Sequence, residues 1–242
     1  MNNVQEPFST LDSPSGEDQS SIQAHSSANT GKTRSSALDL RRAELRQKLI
    51  DAAEHLIKTH GLSGVKARPL TEAAGCALGA IYTVFPDLDA LILAVSARTL
   101  ARLDAHLMPI LAAAEGRGSS KLETARRGLV DLALAYLDFA FAHRASWRAL
   151  FEHRLPEGRS VPEWLVADQA RLFGKVEALL EPLMPAMSVA DRALLARSLF
   201  SAVHGLVLLG LEEKLAVMPM SVLLDQVARI VSAMVKGLED SR

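Results

Sequence analysis

The chain has one cysteine, Cys76, in 242 residues, so it cannot form an internal disulfide, and a reducing cytoplasm is the expected setting. Long uncharged runs are missing too. The longest, Ser198 to Leu211, is 14 residues, short of the roughly 20 that a bilayer-spanning helix needs, so no membrane segment is expected. The N-terminal residues have no basic stretch followed by an apolar one, which argues against export. A formal net charge of -1 announces no polyanionic or polycationic partner, so the distribution of charge matters more than its sum.

Catalytic motifs are lacking as well. None of the seven histidines has a glutamate three residues before it, as a di-iron bundle would require. Neither His-Glu-x-x-His, nor a Gly-Lys-Ser/Thr phosphate loop, nor a Gly-x-Ser-x-Gly elbow occurs. Glu152, His153 and Glu157 fall near an expected loop with no further ligands in view, so neither a metal nor another cofactor is expected, and the chain does not read as an enzyme. Cys76 beside a turn reads as a small, inert side chain.

What is present is helical. Residues 1–36 hold nine serines with Pro7, Pro14, Gly16 and Gly31, and read as a disordered tail. From Lys32 to Pro86 nine Lys/Arg oppose five acids, a local excess of four positive charges. Inside this block Leu45, Leu49, Ala52, Ala53, Leu56 and Ile57 recur at helical spacing, with Ser36 and Asp39 as an N-terminal capping box and Gly61 after the end. A short helix then carries Pro69 in its first turn and ends before Gly75; another spans Ala77 to Phe85 and stops at Pro86. Two short helices joined through a glycine form a helix-turn-helix. Hence residues 37–86 are expected to be one three-helix domain and 87–242 a second.

In that second part no two-residue alternation is sustained. Punctuation falls at Pro109, Gly116 with Gly118, Pro156 with Gly158, and Pro182 with Pro185, which leaves room for several long helices. Asp87 is placed to cap the first, and Ser188 with Asp191 to start another that is apolar nearly all round. The last helix repeats Leu223, Val227, Ile230, Val231 and Met234. This surplus of apolar surface at the C-terminal end points to a dimer made through the last two helices. The fold class is therefore all-α: an N-terminal helix-turn-helix domain and a C-terminal helical bundle that dimerises.

The segment Ala73-Ala74-Gly75-Cys76-Ala77-Leu78-Gly79-Ala80-Ile81-Tyr82-Thr83-Val84-Phe85-Pro86 resembles the DNA-binding domain of TetR-type transcriptional regulators. Trp147-Arg148-Ala149-Leu150-Phe151 and Ala202-Val203-His204-Gly205-Leu206 resemble the C-terminal domain of a subgroup with a Trp-His-Gly signature, although Val203 stands where that tryptophan would be. The resemblance covers about Arg41 to Leu238. It implies a homodimer that reads a palindromic site in double-stranded DNA, represses transcription, and is released by a small molecule. Leu78, Gly79, Ala80, Tyr82 and Thr83 occupy the family's contact positions on the recognition helix. Lys66 and Arg68, with Arg41, Arg42 and Arg46 on the preceding helix, are expected at phosphates. Lys32 and Arg34 join this arm, which could also enter the minor groove.

Several residues depart from the family pattern. Ala77 replaces a capping serine, Leu88 a common lysine, and Lys66 a Thr or Ser. Asp87 and Asp89 place negative charge beside the expected DNA backbone. These changes predict weaker DNA binding by the head, and at their extreme a helical dimer with a degenerate head that acts through protein partners. In the C-terminal domain Phe139, Trp147, Phe151, Phe173, Phe200 and His204 are candidates for the effector pocket. The aromatics would equally serve as core, and His204 as a histidine satisfied within it.

Overall fold

The computed structural model describes the backbone of residues 20–115, 120–213 and 217–240, and the side chains of 37–113, 120–213 and 217–240. Among these residues there is no strand. The helices are α1 (Ser20–His60), α2 (Ala67–Ala74), α3 (Leu78–Val84), α4 (Leu88–Glu115), α5 (Lys121–Ala142), α6 (Arg144–Glu152), α7 (Glu163–Leu183), α8 (Val189–Leu211) and α9 (Met220–Asp240). The chain divides into two compact units, residues 1–45 and 46–242. In the first, Leu38, Leu40, Arg41 and Arg42 are all exposed on α1.

Three expectations need correction. Helix α1 begins at Ser20, so Ser36 and Asp39 do not cap its start; a capping box is only a local preference, and Ala37 to Arg46 prolong a helix readily in both directions. The part of the expected tail at residues 1–19 lies outside the described residues. Nor does Pro109 end its helix, for α4 runs on to Glu115. Pro109 is exposed, so water can take the carbonyl that loses its partner. Pro182 sits in the final turn of α7, where the helix is about to stop anyway.

The head is built as its sequence dictates. Leu49, Ala53, Ile57, Leu70, Ile81 and Phe85 close its core, each less than 5% exposed. Gly75 takes φ 64, ψ 40, a left-handed conformation that turns α2 into α3 and that a side chain would strain. Asp87 caps α4 as expected, its Oδ1 accepting the Ala90 N–H at 2.7 Å.

The body is a bundle with α5 at its centre, packed against α4, α7, α8 and α9. Leu137, Phe139, Ala140, Trp147, Leu180, Leu183, Ala196, Val207, Leu223 and Val227 form its fully buried heart. Ser188 Oγ accepts the Asp191 N–H at 3.1 Å and starts α8. Gly210 lets α9 approach closely: a Cβ there would lie 2.7 Å from Leu223 Cδ1. By length and composition α8 could cross a membrane, but it carries Asp191, Arg192 and Arg197 and lays Ala196, Val207 and Leu211 into the protein core.

Head and body are joined by one buried anion. Glu54 of α1, its side chain 6% exposed, receives Arg102 on Oε1, Lys58 at 2.9 Å, and Arg98 at 3.2 Å on Oε2. Burial pushes its carboxyl up, but the hydrogen bonds from Arg102, Lys58 and Arg98 together outweigh burial and hold it at about 2. A carboxyl depressed in the folded state stabilises fully above its unfolded value of 4.5 and loses that contribution as pH falls toward 2. Replacing Glu54 by Gln should cost about 3 kcal/mol at neutral pH, because two arginines lose their buried partner. In thermal unfolding the variant should show a shallower loss of stability than the native chain between these two pH values.

Candidate nucleic-acid interface and effector cavity

On the head, the exposed side of α3 presents Leu78 at 55% and Tyr82 at 54% exposure, with Gly79 and Thr83 beside them and Ala80 half-buried. Ile81 and Phe85 point the other way and anchor the helix. This is the division a recognition helix needs, since large apolar groups left in water signal a partner surface. Thr83 Oγ1 donates to the Ala80 carbonyl at 2.7 Å, so it has one donor fewer for a base edge. Ala77, in extended conformation at the helix start, supplies no side-chain cap. Lys66 stands exposed before α2, and Arg68 is exposed with Glu72 3.5 Å away. Arg46 is exposed, with its guanidinium over the Phe85 ring at 5.2 Å. Arg41 and Arg42 stand exposed on helical backbone. The side chains of Lys32 and Arg34 lie outside those described.

Asp87 and Asp89 are not bare charges. Arg159, from the loop between α6 and α7, donates to Asp87 Oδ2 at 2.8 Å and to Asp89 Oδ2 at 3.4 Å. The Ala90 N–H, with Arg159 behind it, holds the Asp87 carboxyl below the usual range. One guanidinium therefore offsets part of the negative charge of these two acids within the chain.

In the body, a cavity of about 740 Å³ lies among α4, α5, α6, α7, α8 and α9 and the loop before α7. That size and an apolar lining suit a small-molecule site. Of the candidate residues, Phe151, Phe173 and Phe200 are on its wall. Phe139, Trp147 and His204 are not: the first two are 1% and 0% exposed in the core, and His204 packs behind the wall with its ring 4.1 Å from that of Phe151. The reason is a hydrogen-bonded chain. Trp147 Nε1 donates to Tyr136 Oη at 2.8 Å, and Tyr136 Oη lies 2.8 Å from His204 Nδ1. An indole N–H only donates, so the tyrosine hydroxyl accepts it and donates its own O–H to Nδ1 of a neutral His204. Burial supports both states, pushing the Tyr136 hydroxyl up and the His204 ring down. His204 is thus the satisfied histidine rather than a free anchor.

Sequence reasoning missed most of the wall, including Leu100, Leu103, Leu132, Tyr136, Leu172 and Val203, and the polar loop residues on it: His153, Arg154 and Arg159. The aliphatic residues looked like ordinary helix stripe. The loop residues carried no motif.

The family description "Bacterial regulatory proteins, tetR family" matches residues 49–95, and "Tetracyclin repressor-like, C-terminal domain" matches 129–236. No curated protein matches the sequence. Among solved structures, a protein of unknown function from Rhodococcus sp. RHA1 is 24% identical with a TM-score of 0.59, covering 81% of this chain and 94% of that one. A transcriptional regulator from the same organism is 21% identical with a TM-score of 0.52, covering 82% and 97%. A fatty acid degradation regulator from Bacillus halodurans is 16% identical with a TM-score of 0.53, covering 78% and 94%. At these identities the solved structures establish a shared fold. The helix-turn-helix with its outward-facing α3, and the two family matches that together take in the head and most of the bundle, place the chain in the TetR family of DNA-binding transcriptional regulators.

Proposed function

We propose that this regulator is a cytoplasmic homodimeric repressor that binds a palindromic operator and leaves it when a small molecule fills the cavity. The observation that carries this reading is the course of α4. Three residues separate it from α3, and Leu93, Ser96, Leu100, Leu103 and Leu107 along it form one wall of the cavity. A ligand that favours one placement of α4 therefore acts on the recognition helix through a continuous rod. DNA must then weaken ligand binding by the same factor.

Dimerisation is supported by the outer side of the last two helices. Leu194, Ser198, Ala202 and Leu209 on α8, and Val222, Ile230 and Ala233 on α9, are exposed at helical spacing. A stripe of small and apolar side chains suits close packing of a second copy around a two-fold axis. The domain boundaries that fit this reading are an N-terminal segment to residue 36, helical from Ser20, a head from 37 to 86 and the sensing and dimerising bundle from 87.

Selection from random DNA duplexes should enrich one inverted repeat; enrichment of no sequence at low salt would instead favour a head that has lost DNA binding and serves protein partners. On the selected duplex Tyr82→Ala should weaken binding by about tenfold, the value of one good stacking or methyl contact, while leaving the unfolding temperature unchanged. Deleting residues 1–40 should flatten the salt dependence, the log–log slope falling by about two for each cation per protomer that had met a phosphate. Placing Glu at Ala202 and at Ile230 should turn the dimer into a monomer in sedimentation at micromolar concentration, because like charges would face each other across the axis.

A further inference from the structure

The cavity has a charge asymmetry that an all-purpose apolar pocket lacks. No Asp or Glu lines it, whereas His153, Arg154 and Arg159 do, all from one short segment beside α7. Arg154 has no ion-pair partner among the described residues. His153 has its side chain 9% exposed, and its Nε2 completes no hydrogen bond, although Asp89 Oδ1 lies 3.4 Å away. A buried ring nitrogen whose nearest acceptor is this distant is poorly satisfied and has room for a better partner. Away from these three the wall is aliphatic and aromatic, with Ser96, Tyr136 and Gln169 as its other polar residues.

Arg159 faces two ways. It lines the cavity, and it also holds the start of α4 through Asp87 and Asp89. Both partners are partly exposed, 44% for Arg159 and 36% for Asp87, so the pair is a weak one. A carboxylate entering from the cavity side would be better desolvated, could engage the guanidinium through both oxygens, and could accept from His153 as well. We propose that the cavity takes an apolar molecule bearing a carboxylate, and that this carboxylate draws Arg159 and His153 away from Asp87 and Asp89, freeing the start of α4 beside the recognition helix. Ligand chemistry and release of DNA are thereby linked through one arginine. The inference rests on the sensing role assigned to the cavity, but its binding arm is independent of DNA.

The test uses the full-length dimer and straight-chain fatty acids of graded length, from octanoate to hexadecanoate, each compared with the alcohol of the same length. Binding is followed by tryptophan fluorescence, since Trp147 touches the cavity-lining Phe151 and Tyr136. At the best length the acid should bind about tenfold or more tightly than the alcohol, as expected for a charge-assisted pair. Arg159→Gln should remove that preference without weakening the alcohol, and Arg159→Lys should restore part of it. The variant carrying Asp87→Asn and Asp89→Asn keeps a capping side chain at α4 but no longer competes for Arg159. It should bind the acid several-fold more tightly than the native protein and the alcohol no differently. Equal binding of acid and alcohol, no binding at any length, or an unchanged acid affinity in the Asp variant would each overturn the proposal. Failure to find an operator would count against the repressor reading and leave these binding results to stand.

Discussion

A carboxylate with almost no access to water governs how the parts of this protein act on one another. Glu54 would be expensive to bury alone, and three cations remove that expense only while α1 and α4 keep their present register. Arg98 widens the joint by reaching Asp51 and Gln47 on the same face of α1. The head therefore rides on α4 as one piece. Any shift of α4 imposed from the bundle is carried to α3 instead of being absorbed at a soft hinge, because breaking the joint leaves a charge stranded in an apolar setting.

Helix α4 is held differently at two points. Near its middle the buried Glu54 is saturated by three cations; at its start the Asp87 and Asp89 carboxylates share one half-exposed arginine. Such an arrangement combines a firm joint with a loose one on the same helix. Acidic residues beside an expected DNA path looked like a defect when only their sign was considered. In the folded chain they are one side of a contact whose other side is 70 or more positions away.

That separation also explains what could and could not be read from the letters. Signals confined to a few residues were legible: the left-handed Gly75, the caps at Asp87 and Ser188, the buried Ile81 and Phe85 against the open Tyr82. Ser120 with Glu123 carried the same capping pattern at the start of α5 and could have been found by the same rule. Periodicity gave the long helices but not their ends, since prolines at Pro109 and Pro182 were tolerated where water or a last turn removed the penalty. The cavity was not legible. Its wall draws residues from six helices and a loop, and nothing in a helical stripe tells a side chain that faces a void from one that faces a neighbour. Trp147 and His204 were singled out for their chemistry, yet that chemistry is satisfied internally by Tyr136.

The tyrosine between them bears on what kind of molecule could be accommodated. With its oxygen already accepting from an indole and its proton already committed to an imidazole, Tyr136 offers an incoming guest mainly the face and edge of a ring. A hydroxyl or amide carried along the guest's far end would be stripped of water at that stretch of wall with little in return, a penalty of about 1–3 kcal/mol, or roughly five- to more than a hundredfold in occupancy. Plain hydrocarbon tails would escape the penalty, so a guest of the proposed kind would be favoured there over oxygenated look-alikes without a single residue dedicated to repelling them.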